Sequence, residues 1–353
     1  VADTVAISVL MPVHNGMPYL PETVESVLAQ SFRNFELLAI DDGSTDATAD
    51  YLKALNDPRV KYHRLNKVGL VGALNYGLER ATAPLIARID ADDLALPDRL
   101  ALQVAHLDQN PDCVLLGCDF DEIDPEGRVI GANDFRMTTD AALRWQLLFT
   151  TPFLHPGVAF RRAAALQIGG YRKTYDVAED YDMWVRLSAV GRIASLPDRL
   201  MRKRMHPTAV SVVHRERGQT QSSEIAANYA AQIGAGLDPV AVSELYWFYV
   251  IGRKPTRCSV RDLIRTARAA RAHFLKGDDN PDLATAVRDT EQTLRRRCVA
   301  HLRREWFRPL RALGWLRAIK GFDPDRGGLL QGALRFARLK LRGPERAALN
   351  PAR

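Results

Sequence analysis

No apolar run in this chain of 353 residues approaches the ~20 residues that cross a bilayer as a helix. A membrane-spanning protein is not expected. Cysteine is scarce. Cys113, Cys118, Cys258 and Cys298 are the only four, and no two have the spacing of a metal-binding pair. Reduced core thiols in a cytosolic protein are the expectation. Cys113 and Cys118 stand an odd number apart on an expected strand, so they should face opposite sides. Residues 1–5 lack the charged and apolar regions of a secretory signal, which points to a cytoplasmic location. Internal repeats and low-complexity segments are missing too. What remains is a composition of 46% hydrophobic and 26% charged residues, that of a globular chain.

Charge is unevenly spread. Residues 1–214 carry 22 Lys and Arg against 28 Asp and Glu, net −6, and residues 215–353 carry 27 against 14, net +13. The asymmetry marks a boundary, and the basic part should meet something anionic.

Short apolar runs alternate with helical patterns through the first half. Ala6–Val13, Phe35–Ile40, Val60–Leu65 and Leu85–Ile89 read as strands. Tyr19–Gln30, Ala47–Leu55, Leu70–Arg80 and Asp98–Leu107 carry helix spacing. Further on, Val114–Leu116, Arg128–Ile130, Val158–Arg161 and Leu200–His206 are expected strands, and Ala141–Phe149 and Asp180–Ala189 expected helices. Strand and helix alternate about every 25 residues, which predicts an α/β fold with a mostly parallel central sheet and helices on both faces. Beyond 215 the pattern is mainly helical. We therefore expect two units, 1–214 and a basic helical region, 215–353.

In parallel sheets ligands bind beyond the carboxyl ends of the strands. Asn15, Asp42 and Asp90-Ala91-Asp92-Asp93 all fall at such ends. Crowded carboxylates are costly to desolvate, so a divalent cation with a phosphorylated ligand is the natural occupant. Each group also has a plainer reading. The Asp90–Asp93 cluster could cap a helix. Asp42 could close an Asx-turn, with Asp46 as the helix cap behind it. Asp180 is a candidate general base, or, like Asp182, a helix-dipole charge. His155 and His206 are either ligands or structural histidines. Lys203 and Arg204 either offset a diphosphate or are solvated.

Taken in order, six segments resemble a family 2 glycosyltransferase of the GT-A fold, in the subgroup that builds bacterial cell-surface polysaccharides. They are Ile7–Gly16, Asp41-Asp42-Gly43-Ser44-Thr45-Asp46, Ala87–Asp93 with Pro97, Arg99, Leu100, Gln103, Asn110 and Pro111 downstream, His155–Arg162, Gly169-Gly170-Tyr171, and Glu179–Trp184. The likeness covers about residues 5–214. It implies inverting transfer of a sugar from a nucleotide-sugar, usually a UDP-sugar, to a glycan or lipid-linked acceptor. By resemblance Asp42 reads the base, and Pro12, Val13 and Asn15 line the nucleotide site. Arg88, Asp90, Ala91 and Asp92 face the donor. Asp90 meets ribose or metal, and Asp92 ligates Mn²⁺ or Mg²⁺. Asp180 takes the acceptor proton. Asp93, His155, Glu179, Arg204 and His206 are the further candidates for acceptor or diphosphate contacts.

Two departures stand out. His14 replaces an aromatic residue common beside the base. The Gln-x-x-Arg-Trp element of processive members is missing, since Ala141 stands where Gln would precede Arg144-Trp145, and that pair comes before Asp180. One sugar per encounter is expected. The rival readings are a nucleotidyltransferase, whose Gly-rich basic loop after the first strand is not evident, and a non-catalytic membrane or assembly module.

The resemblance stops before residue 215. Within 295–342, Leu302, Trp306, Leu310, Leu313 and Leu316 recur at helix spacing, with Arg303, Arg304, Arg308 and Arg311 largely on other faces. Such a helix either lies on an anionic membrane or packs on the catalytic part or on a second copy of the chain in a homo-oligomer. Peripheral contact at the inner face of the cytoplasmic membrane follows from the first case. Nucleic acid is not expected, because no binding motif accompanies the charge.

Overall fold

A computed structural model describes residues 5–133, 137–207 and 210–304, with 315, 318 and 319. The chain begins β1 (Ile7–Val13), α1 (Leu20–Leu28), β2 (Phe35–Asp41), α2 (Thr48–Ala54), β3 (Val60–Arg64), α3 (Leu70–Arg80) and β4 (Leu85–Arg88). Next come β5 (Leu94–Ala95), α4 (Arg99–Gln109), the hairpin β6 (Cys113–Ile123) and β7 (Val129–Ala132), α5 (Asp140–Gln146), β8 (Ala159–Arg161) and α6 (Arg162–Gln167). Then follow α7 (Glu179–Ser188), β9 (Arg192–Arg204) and the helices α8 (Val210–Val213), α9 (Arg215–Gln232), α10 (Pro239–Ile251), α11 (Val260–Phe274) and α12 (Pro281–Arg304).

One sheet runs β3-β2-β1-β4-β8-β6-β9-β5, with β7 hydrogen-bonded to β6. Its first four strands are parallel. β8 runs antiparallel between β4 and β6, and β9 returns parallel to β6. β1 and β2 are buried along their whole length, which is why they read as unbroken apolar runs. Alternate side chains feed two cores. Val9, Met11, Leu37 and Ala39 join α1 and α4 on one face, and Leu10, Leu38 and Ile40 join α3 on the other. α3 rides close to the sheet because Gly77 has no side chain; a Cβ there would lie 2.1 Å from Leu10 Cδ1.

One expectation from strand alternation fails. Cys113 and Cys118 belong to the same core, with Leu116, while Val114 and Leu115 both turn to the other. The β6–β9 register slips between Cys113 and Leu115, and that bulge reverses the parity. All four cysteines are free thiols, and burial pushes Cys113 and Cys118 up to about 11.

Among the described residues, the helices after residue 215 share the core of the sheet domain. Leu263, Leu294 and Trp315 sit in the same apolar cluster as Trp145 and Trp184. Trp145 Nε1 donates to Thr290 Oγ1 at 3.0 Å, and the backbone N–H groups of Thr138 and Thr139 both donate to Asp282 Oδ2 at 3.0 Å. The charge boundary at 214/215 is thus not a break in packing. Of the segment 295–342, residues 305–314, 316, 317 and 320–342 lie outside the described residues. Within it Leu302 and Trp315 are buried, and Trp315 stacks on His301, ring centroids 4.7 Å apart, while Arg296 and Arg304 are exposed. Among the described residues no helix is long and apolar enough to cross a membrane.

Candidate active site

The ends of β1 and β2 are knotted together. Asn15, at φ +56°, accepts from Thr45 N at 2.8 Å and donates its own N–H to Ser44 Oγ at 2.9 Å. Asp41 is wholly buried and spends its carboxylate on Arg64, Tyr62 and Ser44 N. Asp42 accepts from Val68 N at 2.6 Å on one oxygen and from Gly69 N at 2.8 Å on the other. It thereby holds the loop before α3, and each oxygen keeps a second lone pair for a ligand. Pro12 and Val13 are buried walls, and Val13 O accepts from Asp42 N. The exposed His14 reaches Asp42 O at 3.0 Å. Asp46 does what a cap does, accepting from Thr48 N, although helix α2 starts two residues later.

Beyond β4 the chain gathers Asp90, Asp92 and Asp93, with one oxygen from each lying within 4.8 Å of the others. The cluster caps no helix: β5 intervenes, and α4 begins at Arg99 behind Asp98. Each carboxylate has a different environment. Asp90 Oδ2 lies 2.5 Å from Arg88 Nη1. The contact is ionic rather than a well-aligned hydrogen bond, since Nη1 and Nε of this buried arginine have no hydrogen-bond partner. Burial acts to raise the Asp90 carboxyl, but Arg88 outweighs it and holds the group low. Asp92 Oδ2 meets His206 Nε2 at 2.8 Å, and burial, then Asp90, pushes it up. Asp93 is buried and accepts from Arg204 N at 2.8 Å; burial and its two neighbours push it well up. Ala91 is half-buried within the loop. Behind the loop, Arg99 donates to the carbonyls of Arg88 at 2.6 Å and Val158 at 3.2 Å, and Gln103 donates to Gly157 O at 2.8 Å. These two α4 residues brace the strand end from the core.

Arg204 overturns its expected role. Its side chain is completely buried, so it cannot offset a diphosphate. It donates to Glu22 Oε2 at 2.6 Å, Asp92 O at 3.0 Å and Pro125 O at 2.9 Å, and lies over the Tyr19 ring. It ties α1, the β6–β7 turn and the aspartate loop together. Strand alternation turns Lys203 the other way, where its charge helps to lower Asp90.

The N-terminus of α7 supplies the second acidic group. Glu179 is buried and pushed up to about 7 by burial. Asp180 is half-buried, and burial and Glu179 raise it. Asp182 takes no part: Arg186 grips its Oδ2 at 2.6 and 2.9 Å and donates also to Gly170 O. His155 is buried, 3.1 Å from Tyr171 Oη and 3.5 Å from Glu179 Oε1. Burial, then Arg88, pushes its pKa down to about 3, so the ring is neutral. Tyr171, from the Gly169-Gly170-Tyr171 segment, is brought to the site by its contact with His155. The charge of Arg88 reaches both acidic groups. Contacts thus unite Asp90, Asp92, Asp93 and His206, and a second set unites His155 and Glu179. Asp42 and Asn15 form a third group at the neighbouring strand ends, which no described hydrogen bond joins to the aspartate cluster.

The sequence profile described as Glycosyl transferase family 2 matches residues 8–169. The O-antigen biosynthesis glycosyltransferase WbnJ of Escherichia coli is 33% identical over 184 residues, spanning 51% of this chain and 71% of its own. S. aureus TarS 1–349 in complex with UDP-GlcNAc aligns with a TM-score of 0.55 at 19% identity, covering 94% of this chain and 92% of that one. The mannosyltransferase PcManGT of Pyrobaculum calidifontis, in complex with GDP-Man and Mn²⁺, aligns with a TM-score of 0.53 at 17% identity, covering 90% and 85%. The chain belongs to glycosyl transferase family 2, and its fold is that of the GT-A enzymes.

Proposed function

We propose that the chain moves one sugar, with inversion, from a UDP-sugar to a hydroxyl of a glycan or lipid-linked acceptor in bacterial surface polysaccharide synthesis. The observation that carries this reading is the pair of acidic groups that both feel the charge of Arg88, one at the end of β4 and one at the start of α7. In-line displacement needs the base and the leaving diphosphate on opposite sides of the anomeric carbon. Asp180 is the base. Its carboxylate takes the acceptor proton as the acceptor oxygen bonds to the anomeric carbon, and the bond to the diphosphate oxygen breaks with its electron pair. A raised proton affinity suits that task. No covalent intermediate is needed for inversion.

Three convergent carboxylate oxygens suit a hard divalent cation. Asp90 and Asp92 would hold Mn²⁺ or Mg²⁺, with Asp93 and His206 behind them. Such an ion offsets the charge of the leaving diphosphate. Asp42, with Pro12, Val13 and Asn15, takes the base and ribose side. Uracil is favoured by the family pattern and by the TarS complex with UDP-GlcNAc, while the PcManGT complex with GDP-Man makes guanine the competitor to exclude. The WbnJ description supports a surface-glycan acceptor. Residues 1–214 carry the transfer, and the described helices after residue 215 buttress it. The basic segment 295–342 is the part we assign to peripheral contact with anionic headgroups.

Turnover of UDP- and GDP-sugars across an acceptor panel tests the reading. Asp180→Asn and Asp92→Asn should each lower it by about 100-fold or more. Wild-type turnover in both variants would sink the assigned roles.

A further inference from the structure

The Tyr171 hydroxyl has one proton, and its hydrogen-bond partner among the described residues is His155 Nε2, 3.1 Å away. Tyr171 is itself fixed. Asn75 accepts from Tyr171 N at 2.9 Å and donates to Tyr171 O at 2.8 Å. The imidazole is packed edge-on against Trp184 and is neutral, so it carries one proton. If Nε2 accepts from Tyr171, that proton sits on Nδ1, which faces Glu179 Oε1 at 3.5 Å. Glu179 directly precedes Asp180, and its charge raises Asp180.

We propose that His155 is a positioning residue: held as the Nδ1–H tautomer by Tyr171, it donates to Glu179 and keeps that carboxylate oriented and ionised beside the base. This rests on the reading of Asp180 as the base. An ionised Glu179 keeps the proton affinity of Asp180 high; a protonated or rotated one does not. The groups facing Glu179 are few. Arg88 on β4 favours its ionised form, Asp90 and Asp176 oppose it, Asp180 adjoins it, and Tyr171 feels its charge from the loop before α7. His155 Nδ1 is the neutral donor among them.

Two substitutions separate the ring nitrogens. The amide of His155→Asn can stand in for Nδ1–H, while that of His155→Gln reaches the Nε2 position. Histidine ¹⁵N spectra of the full chain should show His155 as the Nδ1–H tautomer, untitrated between about pH 5.5 and 8, and Tyr171→Phe should convert it to a tautomer mixture. In steady-state assays His155→Gln and Tyr171→Phe should lower kcat about tenfold with donor KM unchanged, and move the acid limb of kcat/KM to higher pH, because loss of the Nδ1–H donor raises Glu179. His155→Asn should leave that limb in place. An Nε2–H tautomer in the wild type, or the same acid limb in the Gln and Asn variants, overturns the proposal. The spectra are independent of turnover. An Asp180→Asn enzyme that stays fully active would instead overturn the base assignment while leaving the tautomer result intact.

Discussion

His206 Nε2 lies 2.8 Å from Asp92 Oδ2, across 114 residues of sequence. The contact closes the aspartate loop after β4 against the end of β9 and gives Asp92 a fixed direction. A carboxylate held in this way presents its other oxygen to a cation without reorganisation.

Metal affinity should therefore depend on both residues. Calorimetric titration with Mn²⁺ is expected to show binding abolished in Asp92→Asn and weakened about 10–100-fold in His206→Ala. Thermal shifts with Mn²⁺ should follow the same order, since a ligand that binds the folded state raises apparent stability. Equal affinity in all three proteins would remove His206 from the site.

Arg204 should matter for stability. Replacing it by Met leaves the carbonyls of Asp92 and Pro125 without their buried donor. Glu22 is partly exposed and can be solvated, which limits the loss. A cost on the order of 2–4 kcal/mol is expected in urea unfolding. A change under about 0.5 kcal/mol, the usual size for a surface substitution, would contradict the strut role.

Glu179 predicts a pH signature. Its folded pKa stands at about 7 against an ordinary 4.5. Between those values the folded state binds the extra proton, so stability falls as pH rises through the window. The loss amounts to roughly 3 kcal/mol once pH exceeds 7. Glu179→Gln has no charge to bury, so it should gain on the wild type as pH rises from 5 to 8 in denaturant midpoints. A gap that does not change with pH would show that Glu179 titrates normally.

The helices after 215 share the core of the sheet domain. A chain cut after residue 214 bares the apolar surface around Trp145 and removes the Thr290 partner of its indole. That fragment should expose dye-binding hydrophobic surface and fail to unfold cooperatively. A monomeric fragment with a sharp transition would show that the domain stands alone.

Much of the fold is legible in the residues. The buried runs of β1, β2 and β4 admit no other element between their turn residues, and Leu70–Arg80 carries helix spacing from end to end. The carboxylates at strand ends are legible for the same reason: a parallel sheet puts its strand ends on one side. β9 is less so: Leu200–His206 reads as a strand, but Arg192–Arg199 joins it only through pairing with β6.

The sequence by itself determined the alternating sheet and helices, the family, and which acidic residues share strand ends, because these follow from periodicity and local order. Tertiary structure decided what each group touches. Arg204 and Lys203 are neighbours of like charge, yet one is entombed as a strut and the charge of the other helps to hold Asp90 low. Cys113 changed sides through a single bulge. His155 met Tyr171 and Glu179 only once the short 3-10 turn His155–Gly157, the loop of Tyr171 and α7 converged. Burial and partner geometry depend on distant segments, and no local pattern encodes them.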